Sequence, residues 1–340
     1  MNLVVSVDGR IIRGLLRASI SSNNYYSSDS FSIGFAAGQP PLEDIDAWLA
    51  MANGLITVSQ QSADFVDTHE IISGRADSIE ADPIFKTVSI DGRDLSASLI
   101  DSYAQQDFVN QTASEVVSSI AAQYNLLPQV TPTQGNVGRY FGDGYTRLSL
   151  GEFSRFRSNW DLIVELARSE NFDVFVQGAS LFYQPAASLL NNSIIVRPTD
   201  VIRLRLQQNL CVTQASGVKI QSWNAQQTSA YVAAAGDGQS PSRAVLPNQS
   251  PAYLFSSPNL TASQTDTYAQ RYAREVNRLR AIVDIEMPWD LAICPRYVLL
   301  LEGFSASVDG PYIVDCVDRH FSSTSGSFQS IKAVAWAVAL

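Results

Sequence analysis

The sequence predicts a mainly β protein with an α+β middle. Three observations carry this fold class. Strand-like alternation broken by turns fills residues 1–100, helix signals cluster between 108 and 170, and alternation returns after about residue 205.

In the opening MNLVVSVDGRII, Leu3, Val5 and Val7 alternate before an Asp8-Gly9 turn. That is a strand and hairpin, and it lacks the apolar core of a signal peptide. SSNNYYSSDS (21–30) reads as loop, and FSIGF after it as a short strand. Helical character in this third is confined to LEDIDAWLAMA (42–52). Ile71 and Ile72 lead to Gly74, and Val88 and Ile90 alternate with polar neighbours in TVSIDGRD. Short strands at regular spacing point to a barrel.

In the middle, Thr112-Ala-Ser-Glu115 is a capping box, whose hydroxyl and carboxylate satisfy free amides at a helix start. Val116, Val117, Ile120, Ala121 and Tyr124 then recur on one helical face, with Pro128 just beyond the end. Ser158 and Asp161 repeat the capping logic, and Leu162, Ile163, Leu166 and Ala167 form the buried stripe. Asn171 is a left-handed stop. Phe172, Val174 and Val176 alternate, Gln177-Gly178-Ala179 turns the chain, and Leu181 and Tyr183 return it, so 158–185 is a helix-hairpin.

GVKIQSWN (217–224) alternates again, and residues 233–251, rich in Gly, Ser and Pro, read as a long exposed loop. A helix over 263–280 presents Ala269, Tyr272, Ala273, Val276 and Leu279 on its apolar face. Arg271, Arg274, Arg278 and Arg280 make it basic against an acidic background. Its basic side is either a solvated face or a docking side for an acidic surface, in this chain or in another copy. YVLLLEG, YIVDCVDRHF and SIKAVAWAVAL close the chain as strands.

At 340 residues the chain has room for two or three domains, and 46% hydrophobic content with 16% charged residues supports real cores. Residues 1–100 hold 6 Lys/Arg against 13 Asp/Glu, so most of the net −10 sits in the first third. An acidic surface repels phosphates, which argues against conventional DNA binding and against anionic membranes. Cys211, Cys294 and Cys316 have no close pair, so neither a disulfide framework nor a zinc site is expected, and each reads as a small buried hydrophobe. No apolar run reaches the roughly 18 residues of a membrane helix, so a soluble chain made in a reducing cytoplasm is expected.

Catalytic signals are sparse. The two histidines, His69 and His320, read as partnered structural residues. H-E-x-x-H, G-x-S-x-G, P-loop and C-x-x-C patterns are absent, and GRYFGDGY (138–145) fails the dinucleotide spacing and reads as a turn between strands. Asp161, Glu165, Glu170 and Asp173 include the carboxylates a glycosidase needs. Asp161 is better used as a cap, however, and Glu165 falls on the solvent side of the stripe. No catalytic, cofactor-binding or metal-binding residue is expected, and no cofactor.

Four segments, in order, resemble the baseplate hub family of contractile phage tails, the late control protein D group, whose fold also opens the VgrG spike proteins of type VI secretion. The first is Asp29-Ser30-Phe31-Ser32-Ile33. The second is Gly74-Arg75-Ala76-Asp77-Ser78-Ile79, followed by Val88-Ser89-Ile90-Asp91-Gly92-Arg93-Asp94-Leu95 and Leu99-Ile100-Asp101. Helix-hairpin 158–185, with Trp160 and Asp161, is the third. Asp309-Gly310-Pro311-Tyr312-Ile313-Val314, with His320 and Phe321, is the fourth. The chain departs from the family pattern at Asn171, where Gly is usual, and at Cys294-Pro295-Arg296, which lacks the usual Pro-Gly turn. Segment 108–130 also resembles a LysM carbohydrate-binding module.

The resemblance implies two β-barrel domains, 1–101 and 206–340, flanking a small α+β domain, 102–205. It implies a homotrimer, a ring of six barrels joining a six-fold tail tube to a three-fold spike around a channel for DNA. Its partners would be a tail tube or tube-adaptor protein, a separate spike protein and other baseplate proteins, in a virion tail assembled in the host cytoplasm. The separate spike is expected because the chain stops at Leu340, after a strand through Val334, Trp336 and Val338. The rival readings are a peptidoglycan-binding or peptidoglycan-cleaving tail component, from the LysM-like segment and the carboxylates, and a type VI secretion-like spike base.

Overall fold

The computed structural model describes residues 2–24, 26–38, 44–49, 54–61, 68–103, 107–137, 139–141, 147–150, 157–186, 192–210, 218–224, 229–235, 253–258 and 260–336. Of these, 53% are strand and 21% helix, so the chain is mainly β.

The first region comprises β1 (Asn2–Val7), β2 (Arg10–Ile12), β3 (Leu15–Asn23), β4 (Ser30–Ala36), α1 (Ile45–Leu49), β5 (Leu55–Gln61), β6 (Thr68–Asp82) and β7 (Thr87–Asp94). Asp8 and Gly9 both take positive φ, 49° and 77°, which closes the β1–β2 hairpin with the twist that two-residue turns require. Period-two alternation sends Ile20, Ile33, Phe35, Ile56, Val58, Val88 and Ile90 inward. Trp48 of α1 covers them, its ring 5.0 Å from Phe35. Only residues 44–49 of the predicted helix 42–52 are described. The predicted loop 21–30 starts later than expected, because β3 continues through Ser21, Ser22 and Asn23 to pair with Asp318, Val317 and Cys316. A long-range ladder thus overrides local turn composition.

The middle contains α2 (Ala97–Ile100), β8 (Phe108–Val109), α3 (Ala113–Gln123), β9 (Leu127–Val130), β10 (Arg139–Phe141), β11 (Arg147–Leu150), α4 (Asn159–Glu170), β12 (Phe172–Gln177) and β13 (Ser180–Pro185). Both predicted capping boxes form, Thr112 with Glu115 and Ser158 with Asp161. Asn171 ends α4 at φ 58°, ψ 38°, the left-handed stop. Val116, Val117, Ile120, Leu162, Ile163, Val174, Leu181 and Tyr183 share one core. Residues 138 and 142–145 of GRYFGDGY lie outside the described residues, while β10 and β11 pair antiparallel.

The last region holds β14 (Ser193–Val196), β15 (Arg203–Gln208), β16 (Val218–Asn224), β17 (Ser229–Ala235), β18 (Tyr253–Ser256), α5 (Ala262–Arg278), β19 (Ala281–Pro288), β20 (Val298–Leu301), β21 (Gly310–Ser322) and β22 (Gly326–Ala335). β16, β17 and β18 form a separate small sheet whose apolar face receives Ala269 and Ala273 of α5. Val196, Val283, Ile285, Leu299, Val317 and Ile331 build another core. Cys211, most of the predicted loop 233–251, Val338 and Leu340 lie outside the described residues.

One sheet of thirteen strands joins the first and last regions, along the path β15-β19-β22-β21-β3-β4-β7-β6-β5-β1-β2, with β20 paired to β21 and β14 paired to β20. The join is β3 against β21, from Cys316↔Asn23 to Ser322↔Arg17. Among the described residues this sheet is open and no closed barrel is present, although barrels were expected. Four register shifts bend it, between Leu15 and Arg17, Val58 and Ser59, Ala76 and Ser78, and Val314 and Cys316.

Candidate functional site

Of the residues singled out from sequence, Trp160, Arg274 and Arg278 reach a polar junction where the first region, α4 with its hairpin, α5 and β21 meet. Tyr26 stands at its centre. Its backbone carbonyl accepts the Trp160 indole N–H at 2.7 Å. Its hydroxyl donates to Phe172 O at 3.2 Å and lies 3.3 Å from Asp173 Oδ1. The Arg168 guanidinium sits 5.5 Å from its ring centroid. Burial and the Asp173 carboxylate push the Tyr26 phenol up to about 12. Tyr26 is therefore a neutral linchpin between the first region and the helix-hairpin.

Helix α5 begins one residue before the predicted Ser263, with Thr261 and Gln264 as its own capping box. It ends at Arg278, which leaves Leu279 as cap and 50% exposed, not in the apolar stripe as expected. The arginines are mostly engaged within the chain. Arg271 is buried, its Nε 2.9 Å from Glu275 Oε1 and its guanidinium over the rings of Tyr268 and Tyr272. Arg274 Nη2 donates to Asn171 Oδ1 at 2.7 Å. Arg278 pairs with Asp315. Arg280 lies past the helix end, where its carbonyl accepts from Asn209 N–H at 2.9 Å. The polar side chains that receive Arg274 and Arg278 thus come from the middle and from β21, not from the acidic first third.

Asp315 is inward because of the bulge between Val314 and Cys316, which breaks the alternation of β21. The same bulge turns Cys316 onto the polar face, where its thiol touches Ser21 and Asp318 and is pushed up to about 11 by burial and Asp318. Cys316 is thus not the buried hydrophobe expected of it. Cys294 is likewise free and only partly buried.

The remaining signature residues hold architecture. A Cβ on Gly92 would stand 2.3 Å from Arg75 O and 2.4 Å from the Phe31 ring, so β6 and β4 exclude any side chain there. Arg93 grips Asp77 through Nε and Nη2 at 2.7 and 2.9 Å and reaches Asp101 at 2.7 Å, tying β6 to α2. Asp94 is buried, and its Oδ1 accepts from Ser96 N at 3.0 Å. Burial, with Asp29 nearby, pushes the Asp94 carboxyl up to about 7, and burial raises Asp29 to about 6. Asp161 caps α4. Gly310 opens β21 at φ 146°, and the Tyr312 hydroxyl donates to Val308 O at 2.9 Å. His320 Nδ1 lies 3.1 Å from Ser19 Oγ across the β3–β21 join, with its ring against Phe328. His69 is exposed on β6.

Sequence reading missed Tyr26, because its segment looked like plain loop, and Asn171 as an acceptor for Arg274. Among the described residues no group of three or more His, Cys, Asp or Glu could hold a metal ion. No helix among them is long and apolar enough to cross a membrane.

No protein-family model matches the chain. No curated protein matches it in sequence. Solved structures do match. The 43 kDa tail protein of prophage MuSo2 from Shewanella oneidensis superposes with a TM-score of 0.72 at 14% identity, over 98% of this chain and 97% of that one. The chain has a phage tail-protein fold. A tail protein from Neisseria meningitidis shares this fold at a TM-score of 0.66 and 13% identity, covering 98% and 95% of the two chains. So does the E. coli c3393 protein, a type VI secretion component similar in structure to the T4 tail proteins gp27 and gp5. There the TM-score is 0.61 and the identity 8%, over 98% of this chain and 77% of that one. The tail-protein fold is thus preserved across very divergent sequences, and the hub and VgrG-like resemblance holds at the level of fold.

Proposed function

We propose that this chain is a structural hub subunit of a phage or phage-derived tail baseplate. In this reading, three copies form a ring that joins the six-fold tail tube to the three-fold spike and leaves a channel for DNA. The observation that carries it is the near-complete two-way coverage of the MuSo2 tail protein, 98% and 97%, at a TM-score of 0.72. The separate cores of the first and last regions, and the bulges that bend their shared sheet, support two barrel-like domains around the α+β domain.

The role is mechanical and not catalytic. Asp161 caps α4, Asp94 accepts from Ser96, and Asp77, Asp101 and Asp315 pair with arginines. Partners are a tube or tube-adaptor protein, a separate spike and other baseplate proteins, and the location is the virion tail, assembled in the host cytoplasm. Carboxylates of the acidic first third, facing the lumen, would repel phosphates so that DNA slides without sticking.

Native mass spectrometry of the purified chain, alone and with its spike protein, tests this. A trimer in either sample supports the hub, and a ring with a central hole in electron micrographs is expected. A chain that stays monomeric with the spike and clears cell walls would overturn the proposal in favour of a peptidoglycan-directed component.

A further inference from the structure

The thirteen-stranded sheet contains one five-stranded unit twice. Its spatial order is β5-β6-β7-β4-β3 in the first region and β20-β21-β22-β19-β15 in the last. Chain order agrees, since β3, β4, β5, β6 and β7 correspond to β15, β19, β20, β21 and β22. Every neighbouring pair in both units is antiparallel. A bulge falls at the same point of each fourth strand, passing over Asp77 in β6 and Asp315 in β21. With the bulges aligned, the ladders set Arg17 of β3 in the place of Arg203 of β15.

The β3–β21 join is therefore the first strand of one unit laid on the fourth strand of the other, past its bulge. The converse pair of edges is open. Among the described residues β15 pairs only with β19, and past Asp77 β6 pairs only with β7. An open edge presents a row of backbone donors and acceptors to another strand. A first-to-fourth contact is also heterologous, so between copies it continues head to tail until a ring closes.

We infer that β15 of one copy pairs antiparallel with Ser78–Asp82 of β6 in the next, in the register that β3 keeps with β21. This rests on the ring of copies proposed above and names the surface that closes it. Within the chain Ser19 stands opposite His320 and Ser21 opposite Asp318. The transferred register sets Arg205 opposite Asp82 and Gln207 opposite Glu80. Glu80 and Asp82 make no ion pair among the described residues. Arg205 faces Asp284 on β19, so the pairing sets it between two carboxylates. No like charges oppose each other across the new ladder. The half-buried Leu206 and Ala81 also come together, so core face meets core face. Ile202 at one end of β15 and Ile84 and Phe85 past Asp82 are exposed, and they fall at the same end of this ladder.

Cysteines test the pairing. In the full chain mixed with its spike protein, Glu80→Cys together with Gln207→Cys should oxidise to covalent dimers and trimers on a non-reducing gel, because opposed strand residues lie within disulfide reach. Each single variant should stay at wild-type background, as should Glu80→Cys with Arg203→Cys, which is out of register. Should the variants not fold, hydrogen exchange of the wild-type chain reads the same contact. Amides of Ser78–Asp82 and of Arg203–Gln208 should then gain protection together on assembly. A native trimer with neither the crosslink nor the joint protection would overturn the pairing and leave the hub reading standing. A chain that never assembles, even with the spike, would overturn both.

Discussion

Asp94 and Asp29 carry their carboxyls up to about 7 and about 6, against an ordinary value near 4. Ionising them costs more in the folded chain than in the unfolded one. Their contribution to stability is therefore full below about pH 4 and is lost as pH rises through 6 and 7. Asp94→Asn cannot ionise and keeps an oxygen for Ser96. Its melting temperature relative to wild type should climb between pH 5 and pH 8, and a difference flat across that range would show that Asp94 does not titrate there. At Gly92 the constraint is steric. Gly92→Ala forces backbone or Phe31 to move, and denaturant titration should show a loss of about 1–3 kcal/mol.

Helix α5 is docked by its own charges. Arg274 meets the αL cap of α4, and Arg278 meets the bulge residue Asp315, so one helix ties the middle to β21. Arg278→Met keeps the apolar stem but removes a charged hydrogen bond from a buried carboxylate. The expected loss is about 1.5–3 kcal/mol. A double-mutant cycle with Asp315→Asn checks it, because the two effects should be clearly less than additive. Ser158→Ala removes one side of the α4 capping box and should cost about 1 kcal/mol by urea denaturation. The α4 cap, its left-handed stop and the following hairpin were all readable from spacing, since each depends on neighbours within a few residues.

Across the whole molecule, the β3–β21 ladder makes two cores share one sheet. Calorimetry should therefore show the first and last regions melting together. A proline at Ser21, in the middle of that ladder, removes backbone pairing at the join and should split the transition into two. A single unsplit transition in Ser21→Pro would mean that the join does not couple them.

Periodicity and capping alone determined the strand-rich ends, the α+β middle, both capping boxes and the Asn171 stop, because these are decided by contacts a few residues apart. The order of four segments was enough to point to a tail fold at 14% identity to the MuSo2 protein. Only the tertiary structure decided the rest. It carried β3 through a loop-like segment, shortened α5 and used its arginines inside the chain, turned Asp315 inward and Cys316 outward at a bulge, and made Tyr26 a linchpin. Most of these outcomes are set by a partner tens to hundreds of residues away or by a one-residue register shift, and neither leaves a mark on local composition.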